Sequence, residues 1–196
     1  HRAELVREHL AGRPGLAFAL QQPQRGTGHA VMAAAPELGG FAGQVLILYG
    51  DVPCLHPSTV RDLLDRQKAQ GDDLTVLAME LDPPPAYGRL VLNSAGRLER
   101  IVEERDATPA QKAITLVNSG IYVFRGAPLW ECLPLLNTDN DQQEYYLTDL
   151  VELFIEHGYQ VGYALAPEPQ ELQGVNCPED LALLEGRWTA TGGKED

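Results

Sequence analysis

Basic residues are scarce in this sequence. Fifteen lysines and arginines face 28 aspartates and glutamates among 196 residues, a formal net charge of −13 at pH 7. Duplex nucleic acid and anionic membranes reward clustered Lys and Arg, so neither is expected as a partner. Cysteine is also sparse: Cys54, Cys132 and Cys177 are scattered, without paired metal-ligand spacing. The odd count, and the absence of a signal peptide, point to a reducing cytoplasmic setting. Each cysteine reads most simply as a small apolar residue. No apolar run approaches the roughly 20 residues of a membrane span. Internal repeats and low-complexity tracts are lacking too.

The remaining composition is that of a globular domain. Apolar residues make up 44%, and a chain of this length buries roughly 70% of its unfolded surface without needing disulfides. The first residue is His1, inside the amphipathic stretch HRAELVREHL with Leu5, Val6 and Leu10 on one side. This opening is expected of a chain whose start is missing. Residues 1–188 are expected to form one domain, and 189–196 a disordered tail.

The pattern along the chain alternates. LAFALQ (Leu16 to Gln21) reads as a short buried strand. HAVMAAAPEL (His29 to Leu38) reads as a helix, by its alanine content. QVLILYGD is a strand ending on Asp51. Pro57 starts a helix and Gly71 ends it. DLTVLAMEL is the next strand. This half predicts a largely parallel α/β sheet. A hairpin is then expected around Asn93-Ser94-Ala95-Gly96. LVNSGIYVF is a strand interrupted by glycine. EYYLTDLVELFIEHG leads into a helix, with Asp149 and Glu152 spaced as a capping pair. QVGYALA is a strand and PEDLALLEGRW a last short helix.

Several residues carry possible chemistry. In open α/β sheets, ligands bind beyond the carboxyl ends of strands. Asp51 there suits Mg²⁺, which takes one or two protein oxygens and fills its shell with phosphate and water. Gly50 would let a ligand approach the backbone. Asp51 reads equally as a turn residue before Pro53. Gly26-Thr27-Gly28 offers N–H groups before a helix, or simply a Thr27 N-cap. Gln21 carries the donor and acceptor that a pyrimidine edge requires, or is a surface glutamine. Glu103 follows Ile101 and Val102 and could accept sugar hydroxyls, or be a solvated charge. Asn118 interrupts an apolar strand and must find partners, or cost roughly 1–3 kcal/mol. Asn176, in GVNCPED, is a loop cap or a second metal ligand.

The order of these stretches is more specific than any one of them. QQPQRGTGHA, LYGDVP, AYGRLV, IVEERDAT, VNSGIYVF, EYYLTDL and GVNCPEDL together resemble the uridylyltransferase domain of bacterial bifunctional GlmU, the N-acetylglucosamine-1-phosphate uridylyltransferases. The resemblance covers roughly residues 16 to 185. It implies a Rossmann-like nucleotidyltransferase fold: a mixed, mainly parallel sheet with helices on both faces. It implies uridylyl transfer from UTP to N-acetylglucosamine 1-phosphate, giving UDP-N-acetylglucosamine and pyrophosphate. The attack at the α-phosphorus would be in line and magnesium-dependent. By resemblance, Gln21, Gly26 and Thr27 would contact uracil, and Asp51 and Asn176 would hold the metal. Tyr49, Gly50, Gly88, Glu103 and Asn118 would line the substrate site, with Tyr146 and Thr148 nearby.

This sequence departs from the family at both ends. The family's first strand and glycine-rich triphosphate loop, with its basic residue, have no counterpart before Leu16. Nothing after Trp188 resembles the family's acetyltransferase domain, through which a parent protein would be a homotrimer. The alternative expectations are a nucleotidyltransferase for another sugar phosphate, or a non-catalytic relative that binds a nucleotide sugar.

Overall fold

The structure is a computed structural model that describes residues 3–175, 179–182, 184 and 185. Among these residues, six strands form one sheet in the order β4-β3-β5-β2-β6, with β1 also paired to β5. The strands are β1 (Gln44–Ile47), β2 (Leu74–Glu80), β3 (Arg89–Leu92), β4 (Leu98–Val102), β5 (Leu116–Arg125) and β6 (Val161–Leu165). The helices are α1 (Ala3–His9), α2 (Thr27–Leu38), α3 (Pro57–Gln70), α4 (Pro109–Lys112), α5 (Gly126–Cys132) and α6 (Leu150–Glu156).

Strand β2 lies between β5 and β6 and is buried along six of its seven residues. Its two faces meet different helices. Leu74, Val76 and Ala78 pack with Tyr122 and Phe124 of β5 and with Leu150, Val151 and Phe154 of α6. Leu77 and Met79 pack with Val117, Ile121 and Val123 and with Leu63 of α3. A strand covered on both sides needs apolar residues at every position rather than alternate ones. That is why LTVLAM is continuous. Phe154 stands edge-on to Phe124, with ring centroids 5.5 Å apart.

The expectation of a mainly parallel sheet needs correction at the level of pairing. β2 and β6 are parallel, whereas β1/β5, β2/β5, β3/β4 and β3/β5 are antiparallel. Strands β1, β2, β3 and β6 do share one direction, as the strand–helix alternation requires. Reversed β5 is inserted among them, so most hydrogen-bonded neighbours run in opposite directions.

Strand β5 also explains where β1 stops. One edge of β5 pairs with β2 on both sides of an interruption. The other edge pairs with β1 from Arg125 to Tyr122, then with the start of β3 at Val117. Between them the register against β2 jumps: Leu77 opposes Ile121, but Ala78 opposes Asn118. Ser119 and Gly120 are extruded as a bulge. The Ser119 hydroxyl donates to the Leu77 carbonyl at 2.7 Å and accepts from the Ile121 N–H at 3.1 Å. Gly120 has φ +82, the left-handed region. The ladder of β1 therefore ends at Ile47, opposite Tyr122, and not at Asp51 as its sequence suggests.

Other expectations also shift. Leu16–Gln21 has no regular secondary structure, and no described strand pairs with it; Leu16 and Leu20 are exposed. The Arg7 guanidinium lies over the Phe18 ring at 5.6 Å. Asp149 forms no side-chain cap on α6: it ends a 3-10 turn (Leu147–Asp149) with helical φ and ψ, which turns its carboxyl away from the helix amides. A capping box forms instead at Thr108 and Gln111. Pro57 at the start of α3 and left-handed Gly71 at its end follow the sequence reading. So does the β3/β4 hairpin, in which Asn93 Oδ1 accepts from the N–H groups of Ala95 and Arg97. Residues 179–182, 184 and 185 are helical. The expected tail, 189–196, lies outside the described residues.

The bulge gives a direct test. A Cβ at Gly120 would lie 2.1 Å from Tyr49 Cε2, in a backbone conformation that side chains disfavour. Gly120→Ala is expected to cost about 1–3 kcal/mol in urea unfolding and to displace the Tyr49 ring resonances. A loss below about 0.5 kcal/mol with unmoved Tyr49 resonances would show that neither the φ nor the contact constrains the fold.

Candidate active site

The gap between β1 and β3 on the edge of β5 is a cleft. It has a volume of about 190 Å³ and is lined by Tyr49, Asp51, Tyr87, Gly88, Asn118 and Gly120, among others. It lies just past the carboxyl end of β1, the place where ligands bind in sheets of this class. Each wall has a local cause. Asn118 begins the bulge: its backbone N–H donates to the Gly88 carbonyl at 2.8 Å. Its side chain is fully engaged, with Nδ2 donating to the Tyr122 hydroxyl at 2.6 Å and Oδ1 accepting from the Gly120 N–H at 3.0 Å. Those bonds offset the cost of an amide in an apolar strand. The buried Arg89 guanidinium donates to the carbonyls of Tyr87 and Lys112, which holds the Tyr87–Gly88 turn at the cleft.

Glu103 closes one side. It follows β4 and accepts from the Thr148 hydroxyl at 3.1 Å. A Cβ on Gly88 would stand 3.5 Å from Glu103 Oε2 and from Asn118 Cβ, so these three positions adjoin. Burial raises the Glu103 pKa; Thr148 opposes that shift and Asp106 adds to it. Burial likewise pushes Asp149 up to about 6, helped by Glu103, Glu152 and Asp106. Buried Tyr146 accepts from Gln142 Nε2 at 2.8 Å and has a raised phenol pKa, first by burial.

The loop before α2 closes another side. Gln21 Nε2 donates to the Gly26 carbonyl at 2.9 Å and meets His29 Nδ1 at 3.1 Å. The Gly28 N–H donates to the Tyr145 carbonyl, and the Tyr145 N–H to the Arg25 carbonyl. Both glycines are needed for this approach, since a Cβ at Gly26 or Gly28 would come within 2.9 Å of the Tyr145 oxygen. Thr27 does not cap α2. It is the first helical residue, and its hydroxyl accepts from the Leu147 N–H at 3.1 Å. Thr27 also reaches Tyr49: the Tyr49 phenol is pushed up to about 12 by desolvation, then by Glu103 and Asp51, while a hydrogen bond with Thr27 pulls it down.

Asp51 is exposed at the cleft, and among the described residues no hydrogen bond or ion pair engages its carboxylate. Its backbone carbonyl accepts from the Val175 N–H at 2.8 Å. Asn176, the next residue, lies outside the described residues. Among the described residues no three acidic, histidine or cysteine side chains form a metal-holding group. One free carboxylate suits a magnesium ion that takes most of its ligands from phosphate and water.

The structure thus brings Tyr49, Asp51, Gly88, Glu103, Asn118 and Thr148 to one region, with Gln21, Gly26 and Thr27 joined to it through Tyr49. Tyr146 stands behind, in the same turn as Thr148. Gly50 is exposed, with open space where a Cβ would be. Sequence reading missed Val52, Tyr87, Ser119, Gly120, Leu172 and Gly174, which also line the cleft. The glycine interrupting β5 was the available signal for Gly120. Gly174 opens the GVN stretch, which was the signal there; Leu172 had none.

A bifunctional GlmU protein of Geobacter metallireducens is 47% identical over 182 residues, covering 93% of this chain and 38% of that protein. Its counterpart in Bordetella petrii is 46% identical over 190 residues, covering 96% and 41%. The chain therefore spans about two fifths of the length of these curated relatives. A crystal structure of UDP-glucose pyrophosphorylase complexed with UDP-glucose shares the fold, with TM-score 0.65 at 13% identity, covering 87% of this chain and 66% of that one. The family described as nucleotidyl transferase matches residues 1–194, and the chain belongs to that family.

Proposed function

We propose that this chain forms the site for uridylyl transfer from UTP to N-acetylglucosamine 1-phosphate, with magnesium, giving UDP-N-acetylglucosamine and pyrophosphate. In the reaction a sugar-phosphate oxygen bonds to the α-phosphorus of UTP in line. The bond from that phosphorus to the bridging oxygen breaks, and pyrophosphate leaves with the electron pair. The observation that carries the reading is the unequal charge of the cleft. Glu103, beside Gly88 and with Asp149 in its field, makes one end acidic, so that it tolerates hydroxyls and repels phosphate. Asp51, at the other end, is a free carboxylate suited to a metal beside phosphates. That relatives 46–47% identical are bifunctional GlmU proteins supports this reading.

Each residue has a role in it. Glu103 accepts from sugar hydroxyls, and Thr148 orients it. The Gly88 turn and Asn118 fix the floor beneath the sugar. Tyr49 supplies an apolar face and stays protonated. Gly50 leaves room beside Asp51. Tyr146 supports Thr148 from behind. Gln21, with the N–H groups of the Gly26–Thr27 turn, reads the uracil edge. Asp51 and Asn176 would hold magnesium, which neutralises charge on the transferring phosphate when bound. Positioning and charge neutralisation are the main requirements of such a transfer. The setting that follows is cytoplasmic.

Replacing Asp51 tests the metal end. Asp51→Asn should lower magnesium-dependent turnover roughly 100-fold, with an unchanged melting curve because the side chain is exposed and unbonded. Turnover near that of the parent would remove Asp51 from the metal. Equal turnover with glucose 1-phosphate would remove the assigned sugar.

Asp149 tests the acidic wall. Its folded pKa of about 6 stands above its ordinary value of 3.8. The folded state therefore holds this proton more tightly than the unfolded state. Its contribution is fully present below the ordinary value and is lost as pH rises through about 6. Asp149→Asn removes the ionisation, so its Tm should exceed the parent's by roughly 2–4 °C at pH 8 and match it near pH 4. An Asp149→Asn gain that is the same at both pH values would mean that charge at this position is not the cause.

A further inference from the structure

Glu171 lies outside the cleft lining. It falls in the 3-10 turn Pro169–Leu172, is only 4% exposed, and has no cationic partner among the described residues. A buried carboxylate costs several kcal/mol unless its oxygens are satisfied. Here they are satisfied by the start of α3. Oε2 accepts from the His56 N–H at 2.9 Å, and the buried Thr59 hydroxyl donates at 2.7 Å to Oε1, with Oε2 at 3.0 Å. The 14-residue helix presents its positive end to this carboxylate. Pro57, at the first helical position, has no N–H to offer, so His56 and Thr59 supply the donors.

The position of these donors matters. His56 ends the loop that begins with Asp51. The same short segment that carries Glu171 also bonds the other end of that loop, through the Val175 N–H and the Asp51 carbonyl at 2.8 Å. Between the two tethers, Leu172 is buried in the core beside Leu63 and Leu77. Leu172 and Gly174 also line the cleft with Asp51. Residues 171–175 therefore span the 51–56 loop and hold both of its ends. Asp51 has no side-chain partner of its own among the described residues, so its aim depends on this backbone.

We propose that Glu171 is a positioning residue for the metal end of the cleft: it clamps the 171–175 segment to α3 and so sets the Asp51 carboxylate and the segment leading to Asn176 at a fixed separation. This rests on the magnesium reading of Asp51. A carboxylate suits the position because both oxygens accept, whereas an amide nitrogen would oppose one of the donors.

The test is Mn²⁺ binding, followed by the loss of the free-ion paramagnetic resonance signal, on the 196-residue chain with UDP-N-acetylglucosamine present. UDP-N-acetylglucosamine affinity without metal and the thermal melt are measured alongside. Glu171→Ala should raise the Mn²⁺ Kd roughly tenfold, as loss of an outer partner does at other metal sites, with metal-free ligand affinity held within about twofold. Thr59→Val, which keeps the His56 bond, should raise it about threefold, the worth of one hydrogen bond; it decides the matter if Glu171→Ala does not fold. An unchanged Mn²⁺ Kd in a folded Glu171→Ala, with Mn²⁺ binding lost in Asp51→Asn, would overturn the inference and leave the metal reading standing. Equal loss of metal and metal-free ligand affinity would reduce Glu171 to a structural residue. If Asp51→Asn leaves Mn²⁺ binding unchanged, or the parent binds none, the metal reading fails and the inference falls with it.

Discussion

The interruption of β5 at Ser119 and Gly120 is the constraint on which the site depends. One edge of this strand carries β1 and then β3, placed end to end along it. A continuous β5 would let these two ladders run together and close the gap. The bulge keeps them apart and rotates Asn118 toward the Gly88 turn. It also leaves a flat place at Gly120, over which the Tyr49 ring lies. The position of the cleft, the end of β1 and the engagement of Asn118 all follow from two extruded residues. Pairing with β2 resumes on both sides of the bulge, so the break on that edge is confined to Ser119 and Gly120.

The electrostatics divide along the same gap. The side toward β4 gathers Glu103, Asp106 and Asp149, and burial raises the pKa of both Glu103 and Asp149. A wall of this kind resists further negative charge but accepts hydrogen bonds from neutral donors. The side toward β1 carries Asp51, exposed and without a partner among the described residues. A cation held by that carboxylate would offset the repulsion between an acidic protein and a phosphate ligand. Charge placement, and not net charge, separates the two ends of the cleft.

Local sequence made some of this legible. Pro57 and Gly71 mark α3 because helix ends have strong local chemistry, and the continuous apolar run of β2 marks a strand buried on both faces. The order of short motifs pointed to the family and to Tyr49, Asp51, Gly88 and Asn118 of the cleft lining. Non-local features escaped. Leu16, Phe18 and Leu20 alternate as a strand should, but a strand also needs a ladder, and no described partner offers one. The spacing of Asp149 and Glu152 fits a capping box, but Asp149 belongs to the turn that brings Thr148 to Glu103. The extrusion of Ser119 and Gly120 is decided by the register with β2, about 40 residues away in the chain, as the Ser119–Leu77 bond illustrates. Glu171 stands in the polar stretch PEPQELQG, which reads as surface. Its burial depends on donors at His56 and Thr59, more than a hundred residues earlier.

The cleft is therefore assembled from loops that share only β5. The Asp51 loop, the Tyr87–Gly88 turn and the 171–175 segment leave from different elements and meet through single backbone bonds: Asn118 to Gly88, and Val175 to Asp51. On the α6 face the core is closed by aromatic packing around Phe124 and Phe154, whereas on the α3 face Leu172 is buried and Val52, Leu55 and Tyr87 pack against it. A change at an exposed loop residue can then move a binding group by a small distance without opening the core. A change in the core would move every loop at once. Binding groups thus sit mainly on loops, and stability mainly in the strands. It also locates the weak point of the arrangement. A loop held by one hydrogen bond keeps its geometry only where a second tether fixes its other end, and for the Asp51 loop Glu171 supplies that second tether.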